Sequence, residues 1–379
     1  MPSIIDLPRI VANLPAEKRA RFERIFRLDM SEGHCVLPET MHDWTIQHFG
    51  SLAAVEHQHI LRITNLWTYE GAIYNPLRAG RPIVNHQSPI TNNPSGDLFA
   101  HPLRTTAADV FGRVRGKHCI TTGNIARWEG QHAVLIFDEF DPLSFTREHM
   151  RDYFATSLAW AHKAHQQDPQ ARYFVWTWNG GLKGGASIPH AHAQLALARD
   201  QHYGRIEQLR RAALAYQAQQ GTNYFEDVLG AHQDVGLSFG AAGLPGLLYL
   251  TALRAKDTWI IGQAFDAQLA DALCDTLRNL IEKSGTGAFN IGVMMPPLWP
   301  SLPPSPPAPL PLGEGGILPS PRGGGAGGEG EDWRGFPVIA RIVDRGSPAM
   351  LSSDVGALDI FAHQVIAVEP FEIVRRLRD

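Results

Sequence analysis

Two histidines and a glutamine alternate in the stretch KGGASIPHAHAQLAL, residues 183–197: His190, His192 and Gln194. Residues two apart in a β-strand share a face. The three polar side chains are therefore expected to project together, with Ala191, Ala193 and Leu195 on the other side. A loop carrying Gly180, Gly181, Gly184, Gly185 and Ser187 leads in. Glycines let a backbone approach a ligand closely, and clustered amide N–H groups make a concavity suited to phosphate. An imidazole aimed into such a cradle can attack phosphorus. Its reference pKa of ~6.5 leaves a lone pair available near neutral pH. A neighbour that holds one ring N–H fixes the tautomer and aims the other nitrogen. Gln194 can then donate to a phosphoryl oxygen where charge grows, a contribution commonly worth ~3 kcal/mol. Against this, a lone His on a strand is more often structural, and two at this spacing also suit a metal. No third and fourth ligand stands out in the sequence. H-x-H is a weak pattern in a chain with 17 His, so its weight comes from the glycines, Ser187 and Gln194 around it.

The elements that must position this row are legible nearby. ARYFVWTWN (171–179), rich in aromatic and β-branched residues, predicts the strand that enters the glycine loop. HAVLIF (132–137) predicts a buried strand, with His132 packing beside it. Between them, SFTREHMRDYFATSLAWAHKAHQQ opens on Ser144 or Thr146 as a cap and continues with helical periodicity. Residues 16–28 and 40–64 also read as helical.

The second half repeats this order. GLLYLTALRAKDTWIIGQ predicts two strands, AFDAQLADALCDTLRNLIEKS a helix, and AFNIGVMMPP and FPVIARIVDRG strands matching YFVWTWNGG and IPHAHAQLALARD. Matching Pro189 to Pro337 sets His190 against Val338, His192 against Ala340 and Gln194 against Ile342. The pattern implies an internal duplication in which only the first copy keeps the polar row. The expected fold is α+β: an N-terminal helical extension over 1–40, a first repeat over 41–200 and a second, degenerate one over 201–379, each with an antiparallel sheet and a long helix. Pro296 to Asp332, proline-rich and then glycine-rich, cannot pair its backbone regularly and reads as a disordered insertion. It falls in the loop equivalent to GGLKGGAS.

Composition narrows the function classes. A formal net charge of −4 without a basic stripe argues against nucleic acid as partner. The three cysteines, Cys35, Cys119 and Cys274, are widely spaced, which fits a reducing compartment better than a disulfide framework. No C-x-x-C occurs, and no segment reads as a signal peptide or membrane span. The expected location is the cytoplasm.

NGGLKGGASIPHAHAQ resembles the active-site segment of the galactose-1-phosphate uridylyltransferase branch of the histidine-triad superfamily, which also holds diadenosine tetraphosphate phosphorylases and nucleoside-diphosphate-sugar phosphorylases. The match covers Asn179, Gly185, Ser187, His190, His192 and Gln194 with the branch's spacing. TTGNIARWEGQHAVLIF (121–137) resembles its nucleotide-binding strand pair, where Asn124 stands at the position of a nucleoside contact. The resemblance is specific over about residues 120–197, and it implies two histidine-triad-like repeats. It makes His192 a nucleophile that forms a nucleotidyl-histidine and hands the nucleotidyl group to phosphate or a sugar phosphate. The His190 carbonyl would hold the nucleophile's far N–H, Gln194 and Ser187 would bind phosphate oxygens, and Asn179 would support the loop, with Gly184 and Lys183 beside it. The hydrolytic branch carries a third His where Gln194 stands. Glutamine cannot act as that acid, which favours transfer over hydrolysis. Some members hold zinc through two Cys and two His; here no C-x-x-C exists and Asp141 lies near one expected ligand position, so no metal or other cofactor is expected. Arg78 and Arg81, with Asn75, in IYNPLRAGRP are candidate phosphate-binding groups. Branch members are commonly dimers, which carries over as a homodimer expectation. A phosphorylase acting on diadenosine polyphosphates or nucleotide sugars, a hydrolase, and a nucleotide-binding protein without turnover remain alternatives.

Overall fold

A computed structural model describes residues 2–80, 97–299, 332–349 and 357–378. Arg81 and most of the Pro/Gly-rich insertion, residues 300–331, lie outside the described residues.

The chain builds two sheets. Nine strands form the larger: β4 (Cys119–Gly123), β5 (Gln131–Phe137), β6 (Tyr173–Gly180), β7 (His192–Ala198), β8 (Ser238–Ala241), β9 (Leu244–Leu248), β10 (Thr258–Gly262), β11 (Phe289–Met294) and β12 (Val338–Asp344). Their spatial order is β4-β5-β7-β6-β11-β12-β10-β9-β8, antiparallel throughout. The order is a palindrome about the β6–β11 seam once β8 is set aside. The two repeats thus share one continuous sheet, related by a pseudo-twofold axis. A long helix joins β5 to β6 (Arg147–Gln167) and another joins β10 to β11 (Ala267–Ser284). Thr146 rather than Ser144 caps the first, accepting from the His149 amide at 3.2 Å; Asp266 caps the second, accepting from Leu269 at 3.0 Å.

The main core lies between this sheet and the helices. Trp160, Trp176 and Trp178 are fully buried there, and the Phe137 and Tyr153 rings stack at 3.8 Å. Ala193, Leu195 and Leu197 of β7 point into it, which leaves the alternate residues of β7 for the opposite face.

The hydrogen-bond register corrects the alignment of the repeats. Gln194 lies opposite Thr177, Thr177 opposite Gly292, and Gly292 opposite Arg341. Directly paired residues share a face, so the face of His192 and Gln194 continues through Ile339, Arg341 and Val343. Ala340 and Ile342 belong to the other face, and the Pro189–Pro337 match is displaced by one residue. A slip of one flips every side chain. Arg341 is engaged by Asp257 through two hydrogen bonds of 2.9 and 2.7 Å, so this face of β12 carries a buried ion pair in place of a His–His–Gln row.

The smaller sheet runs β1 (Phe26–His34), β2 (His57–Asn65), β3 (Gly71–Tyr74) and β13 (His363–Ile366), the last parallel to β3. Here the helical expectation holds only in part. Helices cover Ala16–Ile25, His42–Phe49 and Leu52–Glu56, and the chain then turns to strand at Phe26 and His57. Phe26, Leu28 and Met30 alternate, as do Leu61 and Ile63, a period of two that the preceding helical residues obscure. Residues 1–40 are therefore not simply a helical extension. Their start is tied to the far end of the chain, where Ser3 Oγ donates to Glu369 at 3.0 Å. Among the described residues no helix is long and apolar enough to cross a membrane.

Candidate active site

His192 opens β7, directly opposite Ile136 of β5. Its Nδ1–H donates to the His190 carbonyl at 2.7 Å, which leaves the lone pair on Nε2. The ring is buried, 5% exposed, with the Phe99 ring edge-on at 5.2 Å. Burial pushes its pKa below the usual histidine value; the bond to His190 opposes this and the nearby His190 ring adds to it. The ring is thus held neutral, and Nε2 has no partner among the described residues.

His190 precedes the strand and serves as a brace. Its Nε2–H donates to the Phe137 carbonyl at 2.8 Å, and its Nδ1 stands 2.7 Å from Asp97 Oδ2. Both nitrogens face oxygen acceptors, so the side chain fixes the turn while its carbonyl aims His192. Asp141, near one ligand position that the resemblance implies, closes a turn by accepting from the Leu143 amide at 2.9 Å.

Gln194 lies between Val134 and Thr177 and is half-buried. Its Oε1 accepts from His132 Nε2 at 2.9 Å and from Asn124 Nδ2 at 3.3 Å. Asn124 Oδ1 in turn accepts from the Ala126 amide at 2.9 Å. Asn124, assigned by resemblance to a nucleoside, here has both ends of its side chain engaged within the protein. His132 does more than pack beside a strand.

The glycine loop is built differently from the expected amide cradle. The amides of Gly184 and Gly185 donate to the carbonyls of Gly181 and Leu182 at 2.9 Å each, and Ala186 donates to Gly181 at 3.3 Å. These N–H groups close a short turn, Leu182–Gly184, instead of standing open. Gly185, at φ 92°, needs the left-handed region that glycine tolerates. A Cβ on Gly184 would lie 2.6 Å from the Phe289 carbonyl of the second repeat. Asn290 Nδ2, also from that repeat, donates to Asn179 Oδ1 at 2.6 Å and to the Gly184 carbonyl at 2.5 Å, while Arg345 holds Asn290 Oδ1. Lys183 is half-buried in the turn. Ser187 is exposed, and its hydroxyl has no partner among the described residues.

Arg78 lies in the turn after β3, in the smaller sheet, and Asn75 beside it is engaged locally, donating to Gln58 at 3.0 Å and accepting from Leu77 at 3.1 Å. A cavity of about 1060 Å³ borders the row, walled by Phe99, Ile120, Ile136, Phe140, Arg104 and His190. Arg113 secures its rim, donating to the carbonyls of Thr106 at 2.7 Å and Pro102 at 3.2 Å. Asp97 and Phe99 carry no pattern that sequence reasoning could use. His132 does: alternation in HAVLIF places it with Val134 and Ile136, on the face that register shares with Gln194.

No protein-family model matches the sequence, and no curated protein does. Solved structures match over most of the chain. An ADP-glucose phosphorylase from Arabidopsis thaliana, with bound ADP-glucose, matches with a TM-score of 0.58 over 83% of this chain and 96% of its own, at 16% identity. This chain has its fold. A GalT-like protein from Arabidopsis thaliana matches with a TM-score of 0.56 at 14% identity, covering 83% and 97% of the two chains. A uridylyltransferase gives 0.53 at 15%, covering 83% and 96%. The α+β architecture expected from the sequence, antiparallel strands with two long helices, is present in the structure, and the likeness to these proteins extends over most of the chain.

Proposed function

We propose that this protein is a nucleotidyltransferase working through a covalent nucleotidyl-histidine at His192. One observation carries the reading: a buried, neutral His192 donates Nδ1–H to the His190 carbonyl at 2.7 Å and so presents an unprotonated Nε2.

The Nε2 lone pair attacks the α-phosphorus of a nucleoside-diphosphate sugar. The P–O bond to the bridging oxygen breaks, and the sugar phosphate leaves with that electron pair. His192 keeps its Nδ1 proton, and the His190 carbonyl stabilises the positive ring of the adduct. A phosphate oxygen of the acceptor then attacks the same phosphorus, the P–N bond breaks, and neutral His192 is restored. The leaving group is itself a phosphate, with a second pKa near ~6, so it needs no proton from a general acid. Glutamine at position 194 suits that chemistry: its amide N–H donates to a non-bridging oxygen without delivering a proton. Ser187 binds a second phosphate oxygen, and Asn179 steadies the loop. The cavity beside Ile136 offers apolar walls for a base and Arg104 at its edge.

The likeness in fold to an ADP-glucose phosphorylase with its substrate bound supports a nucleotide sugar as donor and inorganic phosphate or a sugar phosphate as acceptor. A dinucleoside polyphosphate would use the same steps. Incubation with ADP-glucose, UDP-glucose, a GDP-sugar and diadenosine tetraphosphate, with and without phosphate, tests the reading. Products should contain the donor's nucleoside monophosphate joined to the acceptor. Stoichiometric free nucleoside monophosphate without an acceptor would instead mark a hydrolase, and nucleotide-dependent thermal stabilisation without labelled protein a binding protein.

A further inference from the structure

A glutamine side chain helps a phosphoryl group only if its NH2 end faces it. The oxygen end has nearly the same shape and would repel the phosphate oxygens, so some group must set the amide's orientation. We infer that His132, with Asn124, is the positioning pair that fixes Gln194 with its NH2 group toward the reacting phosphate. The inference rests on the nucleotidyl transfer proposed above.

Two backbone amides in the β4–β5 loop set the orientation of both side chains. The Trp128 N–H donates to His132 Nδ1 at 3.3 Å. A nitrogen that accepts an N–H carries no proton, so in the neutral ring the proton sits on Nε2. That N–H points at Gln194 Oε1, 2.9 Å away. Independently, the Ala126 N–H donates to Asn124 Oδ1 at 2.9 Å, which turns the Asn124 NH2 toward the same Gln194 Oε1 at 3.3 Å. The two nitrogens, themselves 3.2 Å apart, converge on one oxygen, and with the His132 proton on Nε2 both donate to it. The Gln194 NH2 group is left without a partner among the described residues.

The loop is itself anchored. Arg127 Nη2 donates to Asp109 at 2.8 Å, and Asp109 also accepts from the buried Trp160 Nε1 at 2.9 Å. The Trp128 ring covers His132 at 3.6 Å between centroids. His132 is fully buried, and burial keeps its pKa below the ordinary histidine value; the Gln194 bond and Asp109 oppose this while Arg127 adds to it. A neutral ring is what the assignment requires, because a proton on Nδ1 would confront the Trp128 N–H.

Two substitutions separate this role from plain loop anchoring. The amide nitrogen of glutamine reaches where His Nε2 stands, so His132→Gln retains a donor for Gln194. The oxygen of asparagine stands near His Nδ1, so His132→Asn keeps the acceptor for Trp128 and loses that donor. In single-turnover labelling of the full-length protein with α-phosphorus-labelled nucleotide sugar, His132→Asn should be slowed at least about tenfold at saturating donor, beyond any loss of donor affinity. His132→Gln should stay within about threefold of wild type. The reverse ranking, or an unchanged rate in His132→Asn, overturns the positioning role alone. Failure of the wild-type protein to take label from any donor overturns the transfer reading, and this role with it. A readout independent of the variants is the histidine tautomer by ¹⁵N NMR at pH 7.5: His132 should be neutral with its proton on Nε2, and a charged ring or one protonated on Nδ1 contradicts the inference.

Discussion

Asn290, in the repeat that lacks a polar row, donates through one side-chain nitrogen to Asn179 Oδ1 at 2.6 Å and to the Gly184 carbonyl at 2.5 Å. It stands directly opposite Asn179 across the β6–β11 seam, and Arg345 secures its other end. The degenerate repeat therefore holds the glycine loop of the other. Asn290→Ala removes both bonds and leaves part-buried acceptors without a donor, at a cost of about 1–3 kcal/mol. The rate of His192 labelling should fall about tenfold or more, and the melting temperature should drop. An unchanged rate in a folded Asn290→Ala protein contradicts the bracing role.

The same seam is intolerant of added volume. Gly184→Ala sets a Cβ 2.6 Å from the Phe289 carbonyl, a backbone atom that cannot swing aside. Gly180→Ala meets the Phe289 ring at 2.4 to 2.6 Å. Overpacking of this kind typically costs 1–3 kcal/mol, about as much as a moderate core cavity. Chemical denaturation should show both variants destabilised by roughly that amount, whereas Gly185→Ala, with nothing near its Cβ but a φ of 92°, should show backbone strain alone.

Much of this was open to sequence reasoning, and what was hidden has physical causes. HAVLIF, ARYFVWTWN and the helix between them are long, strongly patterned runs, so the first repeat reads clearly. The register of β12 does not: VIARIVD is buried on both faces, so no alternation tells one face from the other, and a match to β7 by pattern falls one residue out of register. Asp97 and Asn290 reach their partners across 93 and 111 residues. Nothing local marks them. The amides of Gly184 and Gly185 turned inward because a tight turn satisfies its own donors before a ligand can.

Asp97→Ala should loosen the brace behind the nucleophile. It removes the carboxylate 2.7 Å from His190 Nδ1 and leaves that buried nitrogen without its partner, costing about 1–3 kcal/mol. Labelling of His192 should slow because the His190 carbonyl loses its fixed position. Asp97→Asn, which can still offer an oxygen, should lose less. Equal rates in wild type and Asp97→Ala would separate the His190 side chain from the chemistry.

Stability should fall in mild acid, earlier than carboxylate titration explains. Burial lowers the pKa of His132 and His192, and brings His202 and His232 down to about 4. His232 donates Nδ1–H to the Val228 carbonyl and accepts the Leu250 amide on Nε2, so it has no room for a second proton. Between the unfolded value of ~6.5 and the lowered folded value, the unfolded chain binds more protons, and stability drops as pH falls through that window. Each group contributes up to ~1.4 kcal/mol per pH unit. Urea midpoints at pH 7.5, 6 and 5 should decline from about pH 6.5 downward, and His232→Gln should flatten the slope; a midpoint constant to pH 5 contradicts the neutral assignments.

The proposed mechanism requires a bond between Nε2 of His192 and the nucleotide phosphorus. Intact-protein mass spectrometry after brief mixing with nucleotide sugars, followed by peptide mapping under conditions that preserve acid-labile P–N bonds, reads this directly. One nucleotidyl group should be gained on His192, discharged by adding phosphate or sugar phosphate and absent in His192→Asn. An adduct on another residue, an adduct that survives in His192→Asn, or rapid turnover by that variant would contradict it.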